Sequence, residues 1–494
     1  MSESVEQIDP TEELGVDVVK RRALGGAAVL TIRNFFIQGV AFVSTALLTI
    51  LLEPKDYGVF FLVSAVINFL AYFGDIGFAA ALIQKKDKLS SEELKTVFSV
   101  QQLLVVILIS IVFLISPYVE NFYNLEKEAI YLLWALSFSL LLSSLKTIPS
   151  VLLERKLEFN KYVIPQIIEA VVFNISAVFL AWKGFGVTSF TIAVVLRGVV
   201  GVVATYVIQP WVPSLSFSLK AFRSILKFGV PYQANTLLAM VKDDGMTLFL
   251  GSTLGPSGVG LLGWAQKWAY APLRFFMDQV IKVTFPAFSR LQDEKEELSN
   301  AVSKSIFFVS LLVFPSLIFL VLSAPILVEI IPKYEKWRPA LFALTLLSVT
   351  SALAAVTTPL TNTLNAIGKI AITFRLMIMW TFLTWLFVPT LTVIFGLNGA
   401  AVGFTLVGLS SFVALLLVGK YVTVNYAQSV GKPLLASMVM GVIVFLTKNI
   451  LSTSLIQLVV MVAVGFISYA AATLILEPKI VTIIKNQFAK IRSQ

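Results

Sequence analysis

The sequence predicts an all-α polytopic membrane protein of about fourteen transmembrane helices, built as two six-helix lobes in parallel pseudo-repeat with two extra C-terminal helices. Three observations carry that prediction. Hydrophobic residues make up 57% of the 494-residue chain against 13% charged, and the mean hydropathy is +0.88. Apolar stretches of about twenty residues, the length a helix needs to cross a bilayer, follow one another between short polar turns. Lys and Arg gather on alternate turns, as they do when a chain threads back and forth across a membrane. The spans must be helices, because barrel strands would read as segments of about ten alternating residues.

The chain opens on an acidic cytoplasmic N-terminal tail, 1–22, with Glu3, Glu6, Asp9, Glu12 and Glu13 and no apolar signal core. It is expected to be disordered. The N-lobe, 23–208, holds spans near 24–51, 59–83, 96–116, 129–152, 162–182 and 187–208. A cytoplasmic linker, 209–227, carries Pro210, Pro213 and an amphipathic basic helix. The C-lobe, 228–422, holds spans near 228–252, 258–287, 305–330, 340–364, 371–394 and 399–419. Pro231 and Pro272 are placed to bend the first two of these. Segment 423–476 adds spans 433–450 and 455–476. The tail 477–494 sets Ile480, Ile484, Phe488 and Ile491 against Lys485, Lys490 and Arg492, a helix expected to lie on the inner membrane surface. With the N-terminus inside, twenty-four Lys and Arg fall in inner segments and seven in outer loops. Both termini are therefore expected in the cytoplasm of a cell whose inner membrane the chain spans. The longest outer loop is expected at 117–128.

The pI near 9.5 and net charge of +10 follow from this bias, and no basic tract interleaved with aromatics points to nucleic acid. The chain has neither Cys nor His. That excludes a disulfide frame, a thiolate or imidazole metal site, and Ser-His or Cys-His catalysis. No glycine-rich phosphate loop for ATP is present. No metal or cofactor is expected, and the chain is not expected to be an enzyme.

A repeat runs through the chain. Leu52-Glu53-Pro54-Lys55-Asp56-Tyr57-Gly58 and Leu254-Gly255-Pro256-Ser257-Gly258-Val259-Gly260 both read L-x-P-x-x-x-G, 202 positions apart. A second echo joins Gly184-Phe185-Gly186-Val187 to Gly396-Leu397-Asn398-Gly399-Ala400. An even number of helices per lobe makes the two lobes parallel, related by an axis along the membrane normal.

Several segments resemble one known family. They are Pro54-Lys55-Asp56-Tyr57-Gly58, Asp75-Ile76-Gly77-Phe78, Ile83-Gln84-Lys85-Lys86 and Leu153-Glu154-Arg155-Lys156-Leu157-Glu158-Phe159. They continue with Lys227-Phe228-Gly229-Val230-Pro231, Phe285-Pro286-Ala287-Phe288-Ser289-Arg290-Leu291 and Tyr334-Glu335-Lys336-Trp337. Their ordered set over about residues 20–430 resembles the polysaccharide transporter (Wzx-type flippase) family of the multidrug/oligosaccharidyl-lipid/polysaccharide flippase superfamily, and looks closest to its colanic-acid-type flippases. The resemblance implies export of a polyprenyl-diphosphate-linked oligosaccharide across the cytoplasmic membrane. It implies as partners the lipid-linked substrate, membrane lipids, and a glycan polymerase or other assembly proteins. A drug/cation antiporter or peptidoglycan-precursor flippase of the same superfamily is the alternative. A membrane glycan polymerase or ligase is a further one, disfavoured by the short outer loops.

Charges inside spans sharpen the reading, since each costs roughly 2.5–3.5 kcal/mol at the bilayer centre. Arg33 lies roughly 14 Å into span one. Lys146 is late in span four and Arg197 central in span six; Lys242, Asp243 and Asp244 are adjacent in span seven. Lys267, Arg274, Asp278 and Lys282 share one face of span eight. Asp75 and Glu169 add acids in spans two and five. The expected substrate-binding residues are Arg33, Lys146, Arg197, Lys242, Lys267 and Arg274. Arg can hold phosphate oxygens in bidentate geometry, and a cationic cavity offsets the desolvation of a diphosphate. Asp243, Asp244, Asp278, Glu169 and Asp75 are expected to couple an ion or latch the lobes. A proton or sodium gradient, or downhill transport, is the expected driving force. Plainer roles compete. Arg274, Asp278 and Lys282 could pair along their own helix, Lys242 could bridge to another span, and Lys146 and Lys282 could snorkel. Trp264, Trp268, Tyr270 and Trp380 could stack on sugars or simply pack.

Overall fold

The structure is a computed structural model. It describes residues 16–72, 74, 77–85, 89–450 and 455–478, with the backbone alone described at 16–21, 23, 24, 27, 224–236 and 448–450. Asp75, the first fifteen residues and the amphipathic tail beyond 478 lie outside the described residues. Among the described residues every regular element is helical. By its internal contacts the chain divides into two compact units, Met1–Gly260 and Leu261–Gln494.

The first unit begins with α1 (Val16–Leu51), α2 (Pro54–Ala71), α3 (Phe78–Gln84) and α4 (Ser91–Tyr123). It continues with α5 (Lys127–Leu145), α6 (Thr147–Arg155), α7 (Phe159–Trp182) and α8 (Thr188–Ile208). Residues 16–22, expected in a disordered tail, form the first turns of α1. Pro54 opens α2 at a position where its missing N–H costs nothing, and Glu53 and Asp56 complete a capping box. Ser90 and Glu93 do the same for α4. α4 then runs through Pro117 to Asn124, whose left-handed backbone (φ 49°) ends it. The outer loop expected at 117–128 is therefore only the short turn before α5. Two expected spans are interrupted: the second between α2 and α3, the fourth at Lys146, between α5 and α6. α7 packs between α1 and α8, and α5 packs on α8 and α4. Phe78, Leu82, Leu94, Phe98, Ile148 and Leu152 form an apolar core where α3, α4 and α6 meet.

α9 (Leu219–Arg290) is 72 residues long. Straight, it would reach about 108 Å, more than three times the hydrocarbon thickness of about 30 Å. It turns at Gly255 (φ 66°, ψ 177°), a backbone conformation that glycine adopts without a Cβ penalty and that suits a residue preceding proline. The expected linker helix is the start of α9 itself, continuous with span seven.

The second unit takes the rest of α9 with α10 (Lys295–Ile330), α11 (Leu341–Ala366) and α12 (Ile370–Leu409). α13 (Phe412–Val418), α14 (Lys432–Ile450) and α15 (Leu455–Leu476) follow. Val302, Ile306, Val309, Leu360 and Leu364 seal its core, while Met440, Val444 and Met461 seat α14 and α15 on Ile326 of α10. Eleven stretches among the described residues are long and apolar enough to cross a membrane. One of them, Ile370–Val418, is 49 residues and has length for two crossings. With the two arms of α9, that total is compatible with fourteen.

Candidate functional site

α7 carries a largely polar stripe along one face of a mostly apolar helix. Tyr162, Gln166, Glu169 and Phe173 follow at spacings of four, three and four, so they lie on one face. Each meets a partner from a neighbouring element. The Tyr162 hydroxyl meets Glu154 and Gln166. Arg33 of α1 donates one guanidinium N–H to Gln166 and another to Asn34 Oδ1 at 2.6 Å. Its Nε is buried with no partner among the described residues.

One turn further along α7, Glu169 sits between two cations. Lys146, exposed at the break between α5 and α6 by only 13% of its side chain, donates to Glu169 Oε1. Arg197 of α8 holds its Nε 3.9 Å from Glu169 Oε2 and its guanidinium 5.8 Å from the Phe173 ring centroid. The carboxylate fits because Gly201, one turn along α8, has no side chain: a methyl there would overlap it. Glu169 is 15% exposed and Arg197 45%. Lys146 is thus neutralised inside the helix packing, while Arg197 keeps an open side on which a further anion can sit. Arg33, Lys146 and Arg197 stand along this face against two carboxylates, Glu169 and the Glu154 that meets Tyr162, so positive charge is in excess.

In α9 the expected lobe latch takes another form. Lys242 pairs with its own neighbour Asp243 at 2.8 Å, and Asp243 is 68% exposed. Asp244 reaches a different helix, accepting from Asn68 Nδ2 of α2 at 3.4 Å. In the second unit, Lys267, Arg274, Asp278 and Lys282 are all exposed. Among the described residues none of the four forms an ion pair, and Lys282 donates only to Gln279 Oε1 at 3.4 Å. The pairing of Arg274, Asp278 and Lys282 along their own helix is therefore not what these side chains do. Four-residue spacing brings such groups near each other, but no ion pair forms among them.

Trp264 is not a sugar platform. It is 4% exposed and stacks on the fully buried Trp337 with ring centroids 5.3 Å apart and planes at 11°. Its Nε1 lies 3.4 Å from the Tyr334 hydroxyl. The Tyr334-Glu335-Lys336-Trp337 segment is an anchor, fixing a 3-10 turn onto α9. Trp380 packs against the second unit's core. Sequence reasoning missed Asn34, Tyr162, Gln166, Phe173 and Gly201. The four-three-four polar spacing on α7 was the signal that could have found Tyr162 and Gln166. Among the described residues, no cluster of acids has the make-up of a metal site.

A helical, multi-span membrane protein with charged side chains within its membrane-length helices has the build of a membrane transporter. Solved structures show the same fold. The lipid II flippase MurJ in an inward closed conformation matches with a TM-score of 0.75 over 91% of this chain and 99% of its own, at 14% identity. A multidrug resistance transporter of the MATE family in the MOP superfamily, inward-facing, matches at 0.59 over 78% and 95%, at 17% identity. The chain belongs to the polysaccharide biosynthesis protein family, whose model matches residues 47–341. Among its relatives, the lipopolysaccharide biosynthesis protein WzxC of Escherichia coli K12 is 25% identical over 398 residues, 78% of each chain. The succinoglycan biosynthesis transport protein ExoT of Rhizobium meliloti is 24% identical over 455 residues, 89% of this chain and 90% of that one.

Proposed function

We propose that this chain is a flippase that moves a polyprenyl-diphosphate-linked oligosaccharide from the inner to the outer leaflet of the cytoplasmic membrane by alternating access. The glycan and diphosphate cross within the protein while the polyprenyl tail stays in lipid. The observation that carries the reading is the surplus of cations along α7: Arg33, Lys146 and Arg197 against Glu169 and Glu154. A diphosphate carries at least two negative charges, and transferring it through hydrocarbon alone is prohibitive. A face with excess positive charge supplies charge-assisted hydrogen bonds in place of water. The same surplus repels a cationic drug.

The relatives named for lipopolysaccharide biosynthesis and succinoglycan transport, and the lipid II flippase that shares the fold, support a lipid-linked saccharide as cargo. The basic bias of alternate turns supports both termini inside. A proton or sodium gradient is the energy source this reading assigns, with Asp243 or Asp244 as carrier, since both are carboxylates in a span and Asp243 is exposed. The product would pass to a glycan polymerase or other assembly protein. No covalent chemistry is assigned to the chain.

The test is flipping of a fluorescent polyprenyl-diphosphate oligosaccharide in proteoliposomes. Wild type is expected to flip, and Arg33→Ala and Arg197→Ala to lose activity with folding intact. Wild-type rates in both variants would show that these cations are structural.

A further inference from the structure

Near the N-terminal end of α1, a cavity of about 390 Å³ lies between that helix and the turn joining α6 to α7. Its wall is of two kinds. Arg22 and Lys161 supply positive charge against the one carboxylate of Glu158, Val29, Leu157 and Phe159 supply apolar surface, and Gly25 leaves the flank of α1 bare. Arg22 is held in place by its hydrogen bond to the Lys156 carbonyl at 3.0 Å, and among the described residues it pairs with no carboxylate. Lys161 meets Glu158 at 2.8 Å, a solvent-facing pair with the lysine 57% exposed. Such a pair is weak enough for an incoming anion to replace. Phe159 and Asn160 open α7, so their N–H groups precede the first acceptors of the helix.

Depth decides what fits. Arg22 closes the Lys20-Arg21-Arg22 run that precedes the apolar stretch of α1, and Lys161 stands in the first turn of α7, ahead of its apolar stretch. The cavity therefore lies where both helices leave hydrocarbon, at headgroup level. It is also displaced from the α7 stripe: Lys161 precedes Glu169 by eight residues, about 12 Å along the helix. Basic pockets between transmembrane helices on the cytoplasmic side take anionic lipid headgroups, and the volume is that of a small-molecule site. We propose that this cavity binds the anionic phosphate headgroup of a cytoplasmic-leaflet phospholipid, separately from the transported cargo. The proposal rests on the cytoplasmic placement of the N-terminus but not on the identity of the cargo.

Gly25 gives a clean probe, because a methyl placed there meets nothing within 4 Å. Gly25 lines the cavity, so a phenylalanine there is expected to fill part of it. The experiment is native mass spectrometry of the full chain in detergent, titrated with phosphatidylglycerol, with phosphatidylcholine of the same acyl chains, and with a polyprenyl diphosphate. Wild type should retain phosphatidylglycerol over phosphatidylcholine. Arg22→Gln and Lys161→Gln should each weaken retention about fivefold, the effect of one surface cation. Gly25→Phe should abolish it and Gly25→Ala preserve it. Lys183→Gln, whose ammonium lies 4.8 Å over Trp182 at the far end of α7, should change nothing. Helix content and monodisperse elution report folding; if Gly25→Phe misfolds, Arg22→Gln and Gly25→Ala decide. Equal retention of the two phospholipids, or full retention by Arg22→Gln, overturns the proposal. Displacement of phosphatidylglycerol by polyprenyl diphosphate overturns it too, by assigning the cavity to the cargo. The flipping assay of wild type reads the transport function independently.

Discussion

Replacing Gly201 by alanine asks whether the bare backbone of α8 is what seats Glu169. A methyl on Gly201 would stand 2.5 Å from the Glu169 Cδ and 2.7 Å from its Cγ, and would overlap one carboxylate oxygen. Carbon atoms in contact prefer about 3.5–4.0 Å, so the carboxyl group must withdraw by about 1 Å. Withdrawal loosens the bond to Lys146 and stretches the 3.9 Å approach to Arg197. Two effects oppose. Alanine is favoured over glycine inside a helix by about 0.5–1 kcal/mol. Overpacking costs about 1–3 kcal/mol. Losing one partner of a buried ion pair outright costs about 3–5 kcal/mol, and loosening it costs a part of that. The Arg197 contact adds little because that side chain is half exposed. The expected net is a destabilisation of about 1–3 kcal/mol. In a Glu169→Ala background the obstruction is gone, and the same change should stabilise by about 0.5–1 kcal/mol. The assay is a double-mutant cycle from reversible SDS-driven unfolding in mixed micelles. A coupling below about 0.5 kcal/mol, with Gly201→Ala neutral or stabilising in both backgrounds, would refute the packing argument.

Arg33→Lys keeps the charge but not the planar fork that reaches both Gln166 and Asn34. Flipping in proteoliposomes should fall about tenfold or more, the equivalent of a charge-assisted hydrogen bond. Trp337→Ala should cost about 3–5 kcal/mol, because it empties a fully buried site. Trp264→Phe should leave the flipping rate per folded molecule unchanged, which comparing thermal stability with transport will check. Gly58→Ala and Gly260→Ala should each destabilise by at least about 2 kcal/mol, since the added methyl meets backbone and not a flexible side chain. Fluorescence-detected gel filtration after heating measures that loss.

Span positions were legible because a crossing needs about twenty apolar residues and the bilayer enforces that length. The breaks inside them were not. Lys146 interrupts a stretch that is apolar again at Leu140 to Leu142 on one side and at Val151 to Leu153 on the other, and hydropathy does not register a change of helix direction. α4 overran its expected end because Pro117 costs little where the chain leaves the membrane and neighbouring groups can satisfy the freed carbonyl. At the candidate site the charged residues stood out, being expensive. Their partners did not. Arg33 has no acid one turn away and bonds instead to a neutral amide, Gln166, 133 positions on. Gly201 matters by what it lacks. Pairings of this kind depend on which helices pack together, and α7 lying between α1 and α8 is a property of the fold that no local pattern encodes.

The repeated L-x-P-x-x-x-G segments show how far such a pattern does reach. Both prolines follow a non-helical residue, Glu53 at ψ 158° and Gly255 at φ 66° and ψ 177°, and both open a helical arm. The glycine four positions later falls on the same face one turn on. In the structure the two copies meet reciprocally. A methyl on Gly58 would overlap the Pro256 carbonyl and stand 2.9 Å from the Gly260 nitrogen, and a methyl on Gly260 would overlap the Pro54 carbonyl and stand 2.9 Å from the Gly58 nitrogen. The spacing alone argues only for helix starts. The reciprocity argues for a self-complementary contact, of the kind a two-fold relation between copies generates, with small residues letting two backbones approach closely. It also constrains energetics. Either alanine forces the same two backbones apart, so the second substitution should cost less than the first. The double variant Gly58→Ala/Gly260→Ala should be less destabilised than the sum of the single ones by about 0.5–3 kcal/mol. Strict additivity in the unfolding cycle would mean that the two glycines serve separate contacts.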